Sequence, residues 1–163
     1  MEVIAYTDGS CINNPGPGAR SSVIGYDAVQ TNISGGARHT TNNRMELTAV
    51  IRTIEYVILH HSGQMLHICL DSKYVQNGVI WLPWRKSKGR KTTARTPVAN
   101  SDLWMTMDIL LAQLTIQRHR VKGHSDNQRN IAADRIAHTL ARHIAQDPNR
   151  SDCKHLTDPI KII

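Results

Sequence analysis

Phenylalanine is absent from this sequence of 163 residues, so Ile, Leu, Val and Ala side chains must fill most of the core. Cysteine is scarce as well: the three cysteines lack the CxxC spacing of a zinc site, and their odd number argues against a disulfide framework. We therefore expect a reducing, cytoplasmic compartment. No apolar run approaches the ~18 residues of a membrane span, and the first residues lack the basic region of a signal peptide, so we expect no membrane segment.

Acidic residues are outnumbered by basic ones. The chain has 20 Lys and Arg against 13 Asp and Glu, which gives a formal net charge of +7. This excess favours an anionic partner, with nucleic acid first and a membrane surface second. The length fits a single domain, which we expect to be a monomer, and no internal repeat or low-complexity segment divides it.

The predicted elements follow the order strand, strand, strand, helix, strand, helix, strand, helix. The first three strands lie at 3–7, 21–26 and 31–38 and form an antiparallel meander. A helix then precedes an apolar strand at 65–70, and this crossover makes that strand parallel to the first. A third parallel strand is predicted at 115–121. The sequence therefore predicts an α/β fold with a mixed sheet and helices packed on it.

Four acidic residues occupy unusual positions in these elements. Asp8 ends the first strand, where it either caps a turn or serves as a metal carboxylate at the sheet edge. Glu46 follows Asn43 by three residues, so a capping box is its local alternative, and Asp71 can cap the helix that follows it. Asp134 lies in line with small residues of the last helix, where an ordinary core would not place an acid. If the four converge, hard cations such as Mg²⁺ or Mn²⁺ must offset their repulsion.

The stretch 81–95 contains six Lys and Arg and no acid, close after two tryptophans. It is either a solvated face or a groove-lining element for nucleic acid. His124 lies in a polar loop and, taken alone, is an ordinary surface histidine. The tail 147–163 has two prolines and mixed polarity, and no placement is predicted for it.

Taken together, these segments resemble the type 1 ribonuclease H family in its bacterial form. The matching segments follow the family's order at nearly its spacing, from about residue 3 to about residue 146: Tyr-Thr-Asp-Gly-Ser-Cys (6–11), Asn-Pro-Gly-Pro-Gly (14–18), Thr-Thr-Asn-Asn-Arg-Met-Glu-Leu (40–47), Asp-Ser-Lys-Tyr-Val (71–75), Val-Lys-Gly-His (121–124), and Asn130 with Asp134. The resemblance implies a ribonuclease H-like fold, a five-stranded mixed sheet with helices on both faces. It makes 1–146 the catalytic domain, with a basic protrusion at about 81–95 and an unplaced tail at 147–163.

The resemblance also implies an endonuclease that hydrolyses the RNA strand of RNA–DNA hybrids and leaves 5′-phosphate and 3′-hydroxyl ends. Asp8, Glu46, Asp71 and Asp134 would hold two Mg²⁺, with Mn²⁺ as a substitute, and His124 would assist proton transfer or product departure. The implied contacts to the hybrid are those of the RNA backbone, the DNA phosphate and the protrusion: Cys11, Asn14, Thr41, Asn42, Asn43, Lys73, Trp81, Trp84, Arg85, Lys86 and Lys88.

The sequence departs from the family pattern at several positions, none of them an acid of the site. Lys73 stands where the family carries Gln, His39 replaces an Arg near the phosphate pocket, and Arg90 occupies the place of a protrusion tryptophan. Ile131 and Ala132 replace charged residues before Asp134. A hybrid-binding module without turnover and a DNA transferase or resolvase on the same fold are the alternatives. The four acids argue against the first, and the motifs at 14–18 and 40–47 against the second.

Overall fold

A mixed sheet of six strands forms the centre of the computed structural model, which describes residues 1–92, 94–121, 127–147 and 156–160. Four helices pack on the sheet. In chain order the elements are β1 (Glu2–Cys11), β2 (Gly16–Tyr26), β3 (Val29–Thr40), α1 (Asn42–His60), β4 (Met65–Leu70), α2 (Lys73–Ser87), α3 (Ser101–Leu111), β5 (Ile116–Arg120), α4 (Gln128–Gln146) and β6 (Leu156–Ile160).

The strands run across the sheet in the order β5-β4-β1-β2-β3-β6. β1, β2 and β3 form the predicted antiparallel meander. β4 pairs parallel to β1, and β5 pairs parallel to β4, as the crossover argument requires. The five-stranded mixed sheet is therefore confirmed, and β6 adds a sixth strand that the sequence had not predicted.

The two faces of the sheet are covered by different helices, which confirms helices on both faces. On one face, α1 and α3 bury the main core through residues such as Ile24, Leu47 and Met107. On the other face, α4 packs its small-residue stripe against β2, where the Ser21 hydroxyl donates to the Ala133 carbonyl oxygen at 2.5 Å. Small side chains on α4 allow this close approach, so the stripe is core packing.

Part of the tail that had no predicted placement lies at the edge of the sheet. β6 pairs antiparallel with β3, in a register that sets Thr31 opposite Pro159 and Ser34 opposite Leu156. A proline at an edge strand is tolerated because one side of that strand needs no ladder hydrogen bonds. No helix in the described part of the chain is both long enough and apolar enough to cross a membrane.

Candidate functional site

Three carboxylates converge beside β1, one from β1, one from α1 and one from the connection between β4 and α2. Each of Asp8, Glu46 and Asp71 offers an oxygen, and these oxygens all lie within 4.8 Å of one another. The register explains the convergence of the two aspartates, because the last parallel pair, Tyr6 with Cys69, lies two residues before Asp8 on one chain segment and two residues before Asp71 on the other. Glu46 comes from the second turn of α1 and is buried with 6% exposure.

The structure removes the local alternatives for these three acids. β1 continues past Asp8 to Cys11, paired with β2, so Asp8 neither ends its strand nor caps a turn. Thr41 is the N-cap of α1 and accepts from the Arg44 backbone N–H, so the capping-box interpretation of Glu46 was wrong. Ser72, rather than Asp71, caps α2. None of the acids is therefore explained by a role in its own helix or turn.

Burial and mutual repulsion perturb the protonation of the buried members of this cluster. Desolvation, the neighbouring charge of Asp71 and the proximity of Asp134 raise the pKa of Asp8 from 3.8 to about 7. Desolvation and the charges of Asp8 and Asp71 raise the pKa of Glu46 well above its usual value. The Gly9 backbone N–H donates to both side chains and opposes these shifts. Among the described residues, no ion pair joins a basic side chain to Asp8, Glu46 or Asp71.

Asp134 lies beside Asp8 on the opposite side of the sheet from α1. It stands on the exposed side of α4, yet its charge and its hydrogen bond both raise the pKa of Asp8. It is not within 4.8 Å of all three other acids. The structure thus brings all four predicted acids to one region, with Asp134 at its rim.

Asn127 fixes the start of α4 and was missed by the sequence reasoning. Its side-chain oxygen accepts from the Arg129 and Asn130 backbone N–H groups, and its amide nitrogen donates to the Tyr6 hydroxyl at 2.9 Å. One residue thereby caps the helix that carries Asp134 and ties it to the strand that carries Asp8. The N-cap signal could be found in the sequence, whereas the contact with Tyr6 could not.

The close approach of β1 to α1 depends on Gly9. A Cβ at Gly9 would lie against the backbone of Met45 and Glu46, which cannot move away as a flexible side chain can. We expect Gly9→Ala to push α1 away from β1 and to lower the free energy of unfolding by about 1–3 kcal/mol. Because this moves Glu46 relative to Asp8, we also expect the nuclease activity that the resemblance implies to fall. Urea denaturation and a cleavage assay measure the two effects. The matched control is Gly25→Ala, whose Cβ would lie nearest to the flexible end of Arg129. An equal loss in both variants would contradict the proposed role of Gly9.

Predicted hybrid contacts gather around the turn after β1 and the start of α1. The Asn42 backbone N–H donates to the Asn14 side-chain oxygen at 3.1 Å, and the Cys11 thiol lies 3.5 Å from the Thr40 carbonyl oxygen. Thr41 and Asn43 occupy the same helix start, with Asn43 exposed. His39, one of the departures, is exposed next to them on β3. These short polar side chains therefore lie at the end of the strand that carries Asp8 and at the start of the helix that carries Glu46.

The basic stretch 81–95 is divided between α2 and the turn that follows it. Trp81 and Trp84 are about half exposed, at 53% and 52%, and their rings meet edge to face with centroids 6.1 Å apart. Lys86 and Arg90 both form ion pairs with Asp108 of α3, at 2.9 Å each. Lys88 is exposed and lines an open groove with Trp84. The stretch is therefore an anchored surface in which some cations hold the fold and others remain available to a ligand.

Some predicted residues fall outside this geometry. His124 lies outside the described residues, so its predicted role stays a prediction. Lys73 is exposed at the first position of α2, two residues after Asp71, and Arg85 is partly exposed near the end of the same helix. Of the two departures on α4, Ile131 is 49% exposed, while Ala132 is partly buried.

Comparison with known proteins places this geometry in a family. The family model described as RNase H matches residues 1–142. Ribonuclease H of Francisella philomiragia is 45% identical over 136 residues, which cover 83% of this chain and 88% of that protein. The crystal structure of LC9-RNase H1, a type 1 RNase H with the type 2 active-site motif, is 25% identical, has a TM-score of 0.78, and aligns over 86% of this chain and 72% of its own. LC11-RNase H1 in complex with RNA/DNA hybrid shares the fold at 19% identity and a TM-score of 0.62, over 90% and 100% of the two chains.

Proposed function

Because the chain belongs to the ribonuclease H family, we propose that it cleaves the RNA strand of RNA–DNA hybrids as an endonuclease, by a two-metal-ion mechanism that leaves 5′-phosphate and 3′-hydroxyl ends. The observation that carries the proposal is the convergence of Asp8, Glu46 and Asp71, with which no basic side chain of the described residues forms an ion pair. We assign residues 1–146 to the catalytic domain, which acts as a cytoplasmic monomer, and 147–163 to a tail.

The carboxylate cluster fits a pair of divalent cations. Carboxylate oxygens are the ligands that Mg²⁺ prefers, with Mn²⁺ as a substitute. Burial and then mutual repulsion raise the pKa values of Asp8 and Glu46, and a cation would relieve that repulsion. Asp8, Glu46, Asp71 and Asp134 would hold the two ions. When bound, such ions lower the pKa of an attacking water and neutralise charge on the leaving 3′-oxygen.

The protein's own contribution is to position the carboxylates and the hybrid. The β1–β4 register and the α1 contact at Gly9 fix the carboxylates before any ligand arrives, which keeps the reorganisation cost of the reaction low. Cys11, Asn14, Asn42 and Asn43 lie where they can contact the RNA backbone and its 2′-hydroxyls, and the 2′-hydroxyl distinguishes RNA from DNA. Thr41 and the start of α1 suit a DNA phosphate, since a helix N-terminus favours anions.

The remaining proposed residues act on the edges of the site. Trp81, Trp84, Arg85, Lys86 and Lys88 of the protrusion grip the hybrid, with Lys86 held in place by Asp108. His124, which is not among the described residues, would assist proton transfer or product departure. We propose that Lys73 binds a backbone phosphate, because hybrid brings more negative charge to this edge than metal-bound carboxylates retain.

A panel of labelled duplexes tests the proposed function. RNA–DNA hybrid, duplex DNA and duplex RNA of one sequence are incubated with the protein and Mg²⁺, with either strand labelled. We expect cleavage of the RNA strand of the hybrid only. Binding of the hybrid without any cleavage would favour a binding module, and cleavage or joining of the DNA duplex would favour a DNA transferase or resolvase.

Lys73→Gln tests the phosphate contact at the start of α2. We expect hybrid affinity to fall by about threefold to tenfold and the slope of log affinity against log salt to become shallower by about 0.7–0.9, since one phosphate contact is lost. The Mg²⁺ concentration for half-maximal activity should stay the same. A lower Mg²⁺ requirement with unchanged affinity would instead show that the Lys73 ammonium competes with cations at the carboxylates, and no change in either quantity would leave it a solvated lysine.

A further inference from the structure

A groove beside the first half of α2 is not used by the proposed mechanism. It runs between α2 and the edge strand β5, has a volume of about 190 Å³, and is lined by Gln76, Ile80, Arg118, His119 and Arg120. Ile80 is 66% exposed, and Arg118 and Arg120 are both exposed. The groove therefore combines two guanidinium groups with an exposed apolar side chain.

The described residues that line this groove include two arginines and no acid. Neither α2 nor β5 contains an acidic residue. Within the described ranges, neither Arg118 nor Arg120 has an ion-pair partner, whereas Arg44, Arg52, Lys86 and Arg90 each pair with an acid. The guanidinium group of arginine binds phosphate oxygens through two parallel hydrogen bonds. Two such groups without ion-pair partners on one strand therefore attract an anionic chain.

The groove begins beside the carboxylate cluster. Arg120 pairs in parallel register with Leu70, the residue immediately before Asp71. Arg118 lies two residues back along β5, about 6.6 Å away, a spacing comparable with that of successive phosphates along an extended strand. Lys73 shares the helical face of Gln76 and Ile80 through its three- and seven-residue spacing, so it lies at the end of the groove near Asp71.

We propose that this groove binds the phosphate backbone of a single-stranded extension of the RNA strand, on one side of the hybrid segment being cut. The inference rests on the proposed function, because the strand cut at the carboxylates is the strand that would continue towards Arg120. An unpaired strand suits the groove better than a duplex does, since exposed Ile80 offers an apolar surface to a base that has no pairing partner. The enzyme would then favour hybrids that adjoin single-stranded RNA.

Binding measurements on hybrids with different ends test this site. Fluorescence anisotropy without divalent cations compares a blunt hybrid with hybrids that carry a 5′ RNA extension, a 3′ RNA extension or a DNA extension. The variant is Arg118→Gln with Arg120→Gln. The matched control is Arg135→Gln with Arg142→Gln, which removes the same charge from exposed positions of α4 on the other face of the sheet.

We expect one of the two RNA extensions to increase the affinity of the unmodified protein by about fivefold to tenfold. The Arg118/Arg120 variant should lose that gain, with a salt slope shallower by about 1.4 on the extended hybrid, and should bind the blunt hybrid within twofold of the unmodified protein. The control variant should keep the gain.

Several results would overturn the proposal. The first is that neither RNA extension increases the affinity of the unmodified protein, and the second is that a DNA extension increases it equally. The third is that the Arg118/Arg120 variant loses affinity equally for blunt and extended hybrids. A gain that survives in the Arg118/Arg120 variant, or one that the control variant loses as well, has the same effect. Cleavage of the blunt hybrid by the unmodified protein is measured separately, so failure of this site is distinguishable from failure of the proposed function.

Discussion

Asp8→Asn is expected to lower the rate of hybrid hydrolysis by about 10³-fold or more while hybrid affinity stays within about threefold. Asp8 lies at the centre of the carboxylate cluster, and divalent cations held there supply several kcal/mol of transition-state stabilisation, with each 1.36 kcal/mol worth a factor of ten. The same substitution should raise the free energy of unfolding of the metal-free protein by about 1–3 kcal/mol at pH 8, because it removes a carboxylate that burial and Asp71 destabilise.

The stability effect of Asp8 has a defined pH window. The pKa of Asp8 is raised from 3.8 to about 7 by folding, so the folded protein binds more protons than the unfolded chain between these values. The metal-free protein should therefore lose stability as the pH rises from about 4 to about 7, and the loss is complete above that range. Asp8→Asn should flatten this part of the profile.

A matched control for Asp8→Asn is Asp27→Asn, at an exposed turn between β2 and β3. It should leave activity and the pH profile of stability unchanged. Single-turnover cleavage, anisotropy with labelled hybrid and urea denaturation at several pH values give the three readouts. Near-normal cleavage by the Asp8 variant would remove the carboxylate cluster from the mechanism.

Neutralising Lys88 and Lys91 together is expected to weaken hybrid binding by tens of times at moderate salt. Both side chains are exposed and line the groove beside Trp84. Two lost phosphate contacts should make the slope of log affinity against log salt shallower by about 1.4–1.8. Lys86 and Arg90 are left intact because their ion pairs with Asp108 hold the protrusion against α3.

The control for this charge change is again Arg135→Gln with Arg142→Gln. It lowers the net charge equally, so any general electrostatic attraction falls by the same amount in both variants. We expect the control to keep most of the affinity and of the salt slope. Equal slopes for the two variants would mean that Lys88 and Lys91 only face solvent.

The sequence predicts the alternation of elements well because apolar periodicity is a local property. The strand Met65–Leu70 has its predicted bounds, and its parallel pairing follows from the helix that precedes it. β1 was predicted too short, since the pairs of Ser10 with Ala19 and of Cys11 with Gly18 extend it past the acid. The convergence of the acids was predicted from two strand ends. The strand end before Asp71 is present, whereas the one predicted at Asp8 is not.

The features that depend on distant contacts could not be predicted. Strand β6 was missed because its pairing with β3 joins segments more than 120 residues apart, and Pro159 hides the pattern. The capping-box interpretation of Glu46 failed because Asn43 and Thr41 are both good N-cap residues, and only the folded backbone selects Thr41. The division of the basic stretch between structural and available cations depends on Asp108, which is distant in sequence.

The chemistry of the product ends tests the central claim most directly. A hybrid with an internally labelled RNA strand is cleaved by the unmodified protein, with Mg²⁺ and with a chelator, and the new ends are identified by mass spectrometry. Hydrolysis by water activated at the carboxylate cluster predicts 5′-phosphate and 3′-hydroxyl ends in Mg²⁺ and no cleavage with the chelator. Ends bearing a 2′,3′-cyclic phosphate, or cleavage that persists in the chelator, would contradict it.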